Sequence, residues 1–222
     1  MARFNLGLVS HLLGLALLTA GLVSGTGKVA RADDGVPTAS RLAVGDSLPA
    51  LDALNEQGNA WKSAEYTGKK AIVIYFYPGD FTGGCIKQAQ MFQELLVKFQ
   101  EAGAEVVGVS GDEVSTHRLF KDTYKLPQTL LADPEGKLAS ALGVPVTAGE
   151  QKVRTRGSDG KPLMDALGKS IIVTRASTTA RWTYIVGSDG KILARRENVN
   201  PAKDADEVLG LIKNGCDPLG IG

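Results

Sequence analysis

The sequence predicts a three-layer α/β domain, with a central sheet of mixed strand directions and helices on both faces. Three observations carry this reading. Ala71 to Tyr77 is an unbroken run of apolar, β-branched and aromatic residues, as in a strand buried on both faces. Strand-like and helix-like segments alternate after it, the pattern of parallel strands joined by helical crossovers. The chain then closes with two alternating segments around Ser188-Asp189-Gly190 and a helical stretch, a hairpin-plus-helix ending that brings in antiparallel strands.

The first residues read as a targeting segment. Arg3 gives a positive start, Leu6 to Val23 is largely apolar, and Ala30-Arg31-Ala32 offers a small-x-small cleavage site before Asp33. Residues 1–32 are therefore expected to be a signal peptide and the domain to be exported to the periplasm or a comparable compartment. The alternative is an uncleaved membrane anchor over residues 6–23. Asp33 to Arg41 reads as a linker, residues 42–216 as the domain and 217–222 as a tail. Cleavage removes Arg3, Lys28 and Arg31 but no acid, so the formal charge passes from +1 to −2. That leaves no basic excess to suggest a nucleic-acid partner.

Within the domain, Leu51 to Trp61 is expected to form a small hairpin turning at Gln57-Gly58. The buried strand follows, ended by Pro78 and Gly79. Ile86, Ala89, Phe92, Leu95, Leu96 and Phe99 then repeat with helical period, and Gly103 stops that helix. Glu105 to Ser110 is a second buried strand, and Ser110 with Glu113 matches a capping box for a helix marked by Val114, Leu119, Phe120 and Tyr124. Gln128 to Asp133 reads as a third strand and Lys137 to Leu142 as a short helix stopped by Gly143. Trp182 to Val186 and Lys191 to Arg196 form the late hairpin, and Asn200-Pro201 opens a helix ending near Gly215. Residues 144–180 look like an insertion, with strands at Gln151–Arg156 and Ser170–Arg175 joined by a turn and a helical Pro162–Leu167.

Chemistry concentrates where the buried strand meets its helix. Thr82 is a plausible N-cap, which places Cys85 in the first helical turn. There unpaired N–H groups and the positive dipole end draw a thiol toward thiolate. An ordinary thiol is only about 3% ionised at pH 7, and making it mostly thiolate takes roughly 3 kcal/mol. A helix terminus supplies about 0.3–2 kcal/mol, so an arginine must be sought elsewhere. The chain has two cysteines, Cys85 and Cys216, and no Cys-x-x-Cys, which excludes dithiol reductant chemistry. Clustered His and Cys ligands are also missing, and His11 and His117 read as non-catalytic, the latter on a polar stretch of helix.

The pattern Pro78-x-x-x-Thr82-x-x-Cys85, after Tyr75-Phe76-Tyr77 and before Lys87-Gln88-Ala89, resembles the active-site signature of the peroxiredoxins, in particular the bacterioferritin-comigratory or Q-type branch. Arg181-Trp182-Thr183-Tyr184-Ile185-Val186-x-x-Asp189-Gly190 resembles the later strand that begins with the active-site arginine in that family. Val44-Gly45-Asp46-x-x-Pro49 and Gly68-Lys69-Lys70 look like its opening segment, so the likeness runs from about Val44 to Gly215. The resemblance implies a thioredoxin-like fold and a thiol-dependent peroxidase without metal or cofactor. It gives Cys85 as nucleophile, Pro78 as its shield from water, Thr82 as hydrogen-bonding partner of thiolate and peroxide, and Arg181 as the cation. Gln88 is a secondary hydrogen-bonding partner. Arg156 and Arg175 lie close enough in the insertion to rival Arg181.

Two positions depart from the branch. Gln90 stands where its resolving cysteine often lies, and Ile86 replaces a frequent threonine. Cys216 is then the only internal candidate for resolving Cys85, within one chain or across a homodimer. The other reading is a one-cysteine enzyme recycled by a thioredoxin-like or small-thiol reductant. The implied partners are thus a hydroperoxide, that reductant and a possible second copy. A non-catalytic thioredoxin-like binding domain and an exported thiol–disulfide oxidoreductase are the rival classes. The insertion is read as a surface hairpin without catalytic part, the sharper alternative being a flap over the Cys85 pocket.

Overall fold

The computed structural model describes residues 41–214, and at its centre lies β3 (Ala71–Phe76), every residue of which is buried. Its side chains alternate between two cores, as a pleated strand requires. Ile72, Ile74 and Phe76 enter one, and Ala71, Val73 and Tyr75 the other. Seven strands make the sheet, in the order β2-β1-β5-β4-β3-β8-β9. β1 (Asp52–Asn55) and β2 (Ala60–Lys62) are the early hairpin. β3, β4 (Ala104–Ser110) and β5 (Thr129–Ala132) run parallel. β8 (Trp182–Val186) and β9 (Ile192–Glu197) add antiparallel strands beyond β3, and β1 pairs antiparallel with β5. The mixed sheet expected from sequence is therefore present.

Helix placement follows from that order. The steps from β3 to β4 and from β4 to β5 move the same way across the sheet, so right-handed crossovers put both connecting helices on one face. These are α1 (Gly83–Glu101) and α2 (Val114–Tyr124), joined through Ala89, Phe120, Tyr124 and Leu130. α4 (Asp204–Lys213) packs beside α1 through Ala205, Val208 and Ile212. α3 (Lys137–Ala141) covers the opposite face with Leu138 and Ala139 against Ile74, Val109 and Leu131. None of the helices among the described residues is long and apolar enough to cross a membrane. The segment proposed as leader or anchor, the linker through residue 40, Cys216 and the 217–222 tail lie outside the described residues.

Three local expectations need correction. Ser110 does not cap α2 with Glu113: it still belongs to β4, and its hydroxyl donates to Asp112 Oδ2 at 2.8 Å. Asn200 opens a turn instead of the helix, its carbonyl accepting from Lys203 and Asp204 N–H, and α4 starts only at Asp204. Pro162–Leu167 is not helical. Arg156 bridges to Pro162 and Met164 to Ser170, so the stretch is a meander with tight turns at 157–160 and 165–168. Asp165 turns the chain by accepting from Leu167 and Lys169 N–H, with Gly168 at φ +73°. The meander extends a two-stranded ladder of β6 (Val146–Arg154) and β7 (Ile172–Thr179) that stands apart from the main sheet.

Candidate active site

Parallel strands β3, β4 and β5 end together, and the loops leaving them form one polar floor, the usual place for a site in an open α/β sheet. The first loop, Tyr77 to Thr82, leads into α1. Thr82 is its N-cap residue by backbone conformation, with φ −97° and ψ 143°. Its hydroxyl donates backward to the Gly79 carbonyl at 3.0 Å instead of capping, so it holds the loop closed and leaves its lone pairs for a donor. Pro78 is half-buried at the loop entrance, and Gly83 faces open space.

Cys85 is the third residue of α1 and is buried, touching the core of Val73, Tyr75 and Phe92. Apolar burial alone would make a thiol inert. Arg181 changes that, because its Nη2 lies 3.2 Å from Cys85 Sγ. Its Nη1 donates to Gln88 Oε1, one helical turn below the cysteine. The amide of Gln88 is itself oriented: its Nε2 donates to Asp204 Oδ2 at 2.7 Å, so Oε1 must face the guanidinium. Asp204 also accepts from Thr183 Oγ1 at 2.7 Å and Arg196 Nη1 at 2.8 Å. Burial pushes the Asp204 carboxyl up, against the lowering effect of those donors. The arm thus reads Arg196–Asp204–Gln88–Arg181–Cys85.

A second arm holds the loop from behind. Asp80 is fully buried; its Oδ1 accepts from Tyr77 OH at 2.8 Å and its Oδ2 meets His117 Nδ1 at 2.8 Å. His117 Nε2 faces the Leu131 carbonyl at 3.1 Å, so that nitrogen must carry a proton. Burial works against the imidazolium, but the Asp80 charge and hydrogen bond outweigh it and hold the His117 pKa above its ordinary value. Burial raises Asp80 too, so the pair shares one proton, which we place on the ring because Asp80 already accepts from Tyr77. Asp80 N–H donates to Asp112 Oδ2 at 2.7 Å, and Asp112 Oδ1 accepts from Arg175 Nε at 3.0 Å. Two carboxylates and two cations thus stand in one dry cluster.

The structure brings Cys85, Arg181 and Gln88 together, with Thr82 and Pro78 on the same loop. It does not bring the rival arginines to the sulfur: Arg175 belongs to the second arm, and the exposed Arg156 bonds the Gly160 carbonyl. His117 does not lie on a solvated stretch; it shares the inward face of α2 with Phe120 and Tyr124. That i, i+3, i+7 spacing was the available signal for it. Asp80, Asp112, Arg175 and Asp204 carried none, since the contacts that tie them into the two arms, Asp80 to Asp112 and His117, Asp112 to Arg175 and Asp204 to Gln88, span 32 to 116 residues. Among the described residues no group of three or more His, Cys, Asp or Glu could hold a metal ion.

Comparison with known proteins bears on this geometry. The AhpC/TSA family model matches residues 44–195. Peroxiredoxin Q, chloroplastic, of Suaeda salsa is 35% identical over 176 residues, spanning 79% of this chain and 70% of that protein. The structure of peroxidoxin BcpB from Mycobacterium tuberculosis superposes with a TM-score of 0.61 at 25% identity, covering 78% of this chain and 97% of the other. A Xanthomonas campestris bacterioferritin comigratory protein, solved in connection with its alkyl peroxide reduction activity, gives 0.59 at 26% identity, covering 77% and 99%.

Proposed function

This chain belongs to the AhpC/TSA family, in its Q-type peroxiredoxin branch, and is a thiol-dependent peroxidase; on that premise we propose how its own residues divide the work. The observation that carries the assignment is the Arg181 guanidinium 3.2 Å from a sulfur in the first turn of α1. Cys85 thiolate attacks the terminal oxygen of the hydroperoxide. The S–O bond forms as the O–O bond breaks, Cys85 becomes a sulfenic acid, and the departing alkoxide or hydroxide takes a proton to leave as alcohol or water. Ionisation gives at most about a thirtyfold gain over an ordinary thiol. Most of the acceleration therefore comes from stabilising charge on the departing oxygen. Arg181 and the free N–H groups at the start of α1 supply it, while Thr82 accepts the peroxide's hydrogen and Pro78 keeps water from the sulfur. Gln88 fixes the guanidinium plane.

Hydrogen peroxide and organic hydroperoxides are the proposed substrates, the latter supported by the alkyl peroxide chemistry of the similar Xanthomonas protein. An external thiol, from a thioredoxin-like protein or a small molecule, recycles the enzyme. It condenses with the sulfenic acid to a mixed disulfide, releasing water, and a second thiol frees Cys85. Cys216 is the alternative resolver, in one chain or across a homodimer. Export rests on the leader read from residues 1–32. The test is peroxide consumption with dithiothreitol by the parent and by Cys85→Ser, which should be inactive. Peptide mapping after one equivalent of peroxide then decides recycling: a Cys85–Cys216 peptide means internal resolution, and a trapped sulfenic acid alone means an external thiol.

A further inference from the structure

β7 is the inner strand of the inserted hairpin, and its alternate residues Val173, Arg175, Ser177 and Thr179 are all buried. They lie against the loops that leave β3, β4 and β5. Thr179 Oγ1 donates to the Tyr77 carbonyl at 3.0 Å and Ser177 Oγ to the Pro134 carbonyl at 3.0 Å. Arg175 Nη2 donates to the Asp80 carbonyl at 2.7 Å while its Nε holds Asp112. Two struts from one strand thus straddle Pro78-Gly79. The fit at Gly79 is close: a Cβ there would stand 2.1 Å from Arg175 Cζ, so the guanidinium takes the space of the missing side chain.

Beyond the strut the backbone is strained. Phe81 has φ +59°, a left-handed conformation that a bulky residue avoids. Its ring packs on Phe120 at 5.2 Å between centroids, and its neighbour Asp80 is fixed at N–H, carbonyl and carboxylate. Thr82 follows at once, then α1 and Cys85. The geometry points to Arg175 as a positioning residue for peroxide reduction: with Thr179, it clamps the Tyr77–Thr82 loop in the strained shape that aims Thr82 and the α1 N-terminus at the O–O bond. The insertion is then neither an inert surface hairpin nor a flap over the sulfur. It is a brace beneath the reacting loop.

The inference rests on the peroxidase mechanism above, and its test separates the two. Arg175→Met, Arg175→Lys and Thr179→Val are compared with the parent, scoring single-turnover oxidation of Cys85 by hydrogen peroxide per titratable thiol. Iodoacetamide alkylation of the same thiol is followed across pH, since alkylation needs the thiolate but not the loop. Peroxide oxidation should fall at least tenfold in Arg175→Met and about threefold in Thr179→Val, with Arg175→Lys recovering part of the loss. The alkylation plateau should move less than threefold. Should Arg175→Met fail to fold, the Lys and Val variants decide by the same criterion. Oxidation within twofold of the parent in the folded variants overturns the inference, as does an equal loss in both reactions. A parent that oxidises no faster than an ordinary thiol overturns the mechanism instead.

Discussion

Two buried carboxylates, Asp204 and Asp112, stand on opposite sides of the Cys85 loop, each gripping an arginine, yet neither of those arginines reaches the sulfur, and only the Asp204 side leads on to one that does, Arg181. On the α4 side, Asp204 takes Arg196, a fifth exposed, and orients Gln88, which in turn orients Arg181. On the β7 side, Asp112 takes Arg175, buried along with it, and the pair ends on the backbone of Asp80. The first arm aims a charge; the second fixes a peptide. Both are costly to bury unless every donor and acceptor is met, and among the described side chains the one buried polar atom left without a partner is Gln128 Oε1, in neither arm. The difference in wetness predicts a difference in how each arm fails.

The largest effect should follow Asp112→Asn. Removing one member of a fully buried pair leaves Arg175 unmatched, which costs about 3–5 kcal/mol. Urea unfolding of the reduced protein should show a fall of that size. A loss below about 1 kcal/mol would mean that water reaches the cluster and that the two arms are alike. Arg181→Met should come next, and in rate. Loss of a donor to a departing oxyanion costs about 10²–10³-fold, or roughly 2.7–4 kcal/mol. Peroxide oxidation should drop by that factor, while the pH profile of Cys85 alkylation moves far less. Equal effects on both would reduce Arg181 to a thiolate stabiliser.

Asp204→Asn should be milder. Gln88 can then turn its amide and offer Arg181 a donor, so we expect peroxide oxidation about tenfold slower and, with Arg196 partly solvated, a stability loss near 1 kcal/mol. A rate unchanged within twofold would show that Gln88 is held by Arg181 alone. A pH effect belongs to the β7 side only. With its pKa raised in the folded protein, His117 contributes stability that is complete below about pH 6.5, the unfolded value, and is lost as pH rises through the folded one. The urea midpoint of the parent should therefore approach that of His117→Gln between pH 6 and 9. A constant difference would mean that folding leaves the titration of His117 unshifted.

What could be read from sequence follows the reach of each signal. The strand Ala71–Phe76, the Cys85 helix and the strand opening at Trp182 announce themselves through residues within a few positions of one another. Arg181 was visible because its strand carries its own motif. Gln88 was visible because it lies one turn from the nucleophile. Arg175 contacts the Asp80 carbonyl across 95 residues, and no local pattern encodes that meeting. Its alternation with Val173, Ser177 and Thr179 marks a strand with one buried face, but a face of Arg, Ser and Thr reads as solvated until the polar floor beneath it is known. Pro162–Leu167 misled for the opposite reason. Its residue types suit a helix, but the Asp165 carboxylate and Gly168 turn the chain instead.

The smallest effect should come from the far end of the insertion, and its smallness sharpens the contrast within the hairpin. Residues 156–170 form the outer meander, with Met164 and Leu167 exposed; Tyr124 OH ties it to the domain through the Arg156 carbonyl at 2.9 Å, and Leu163 sits between the strand ends, donating to the Thr155 carbonyl at 3.2 Å and accepting from Ile171 N–H at 2.8 Å. The ladder between β6 and β7 does not need them, since Thr155 N–H already pairs with the Ile171 carbonyl at 3.0 Å. Replacing 156–170 by Asn-Gly supplies the type I′ turn that a two-residue hairpin prefers. Ile171 N–H and the Thr155 carbonyl, which now bond Leu163, can then pair with each other, so the expected cost is the Tyr124 bond and the packing of Leu163, about 1–2 kcal/mol by denaturation. Peroxide oxidation of Cys85 should stay within twofold of the parent, because the braces at Arg175 and Thr179 remain on their strand. A tenfold loss would instead assign the outer meander to the reacting pocket, and the hairpin would be working as a flap.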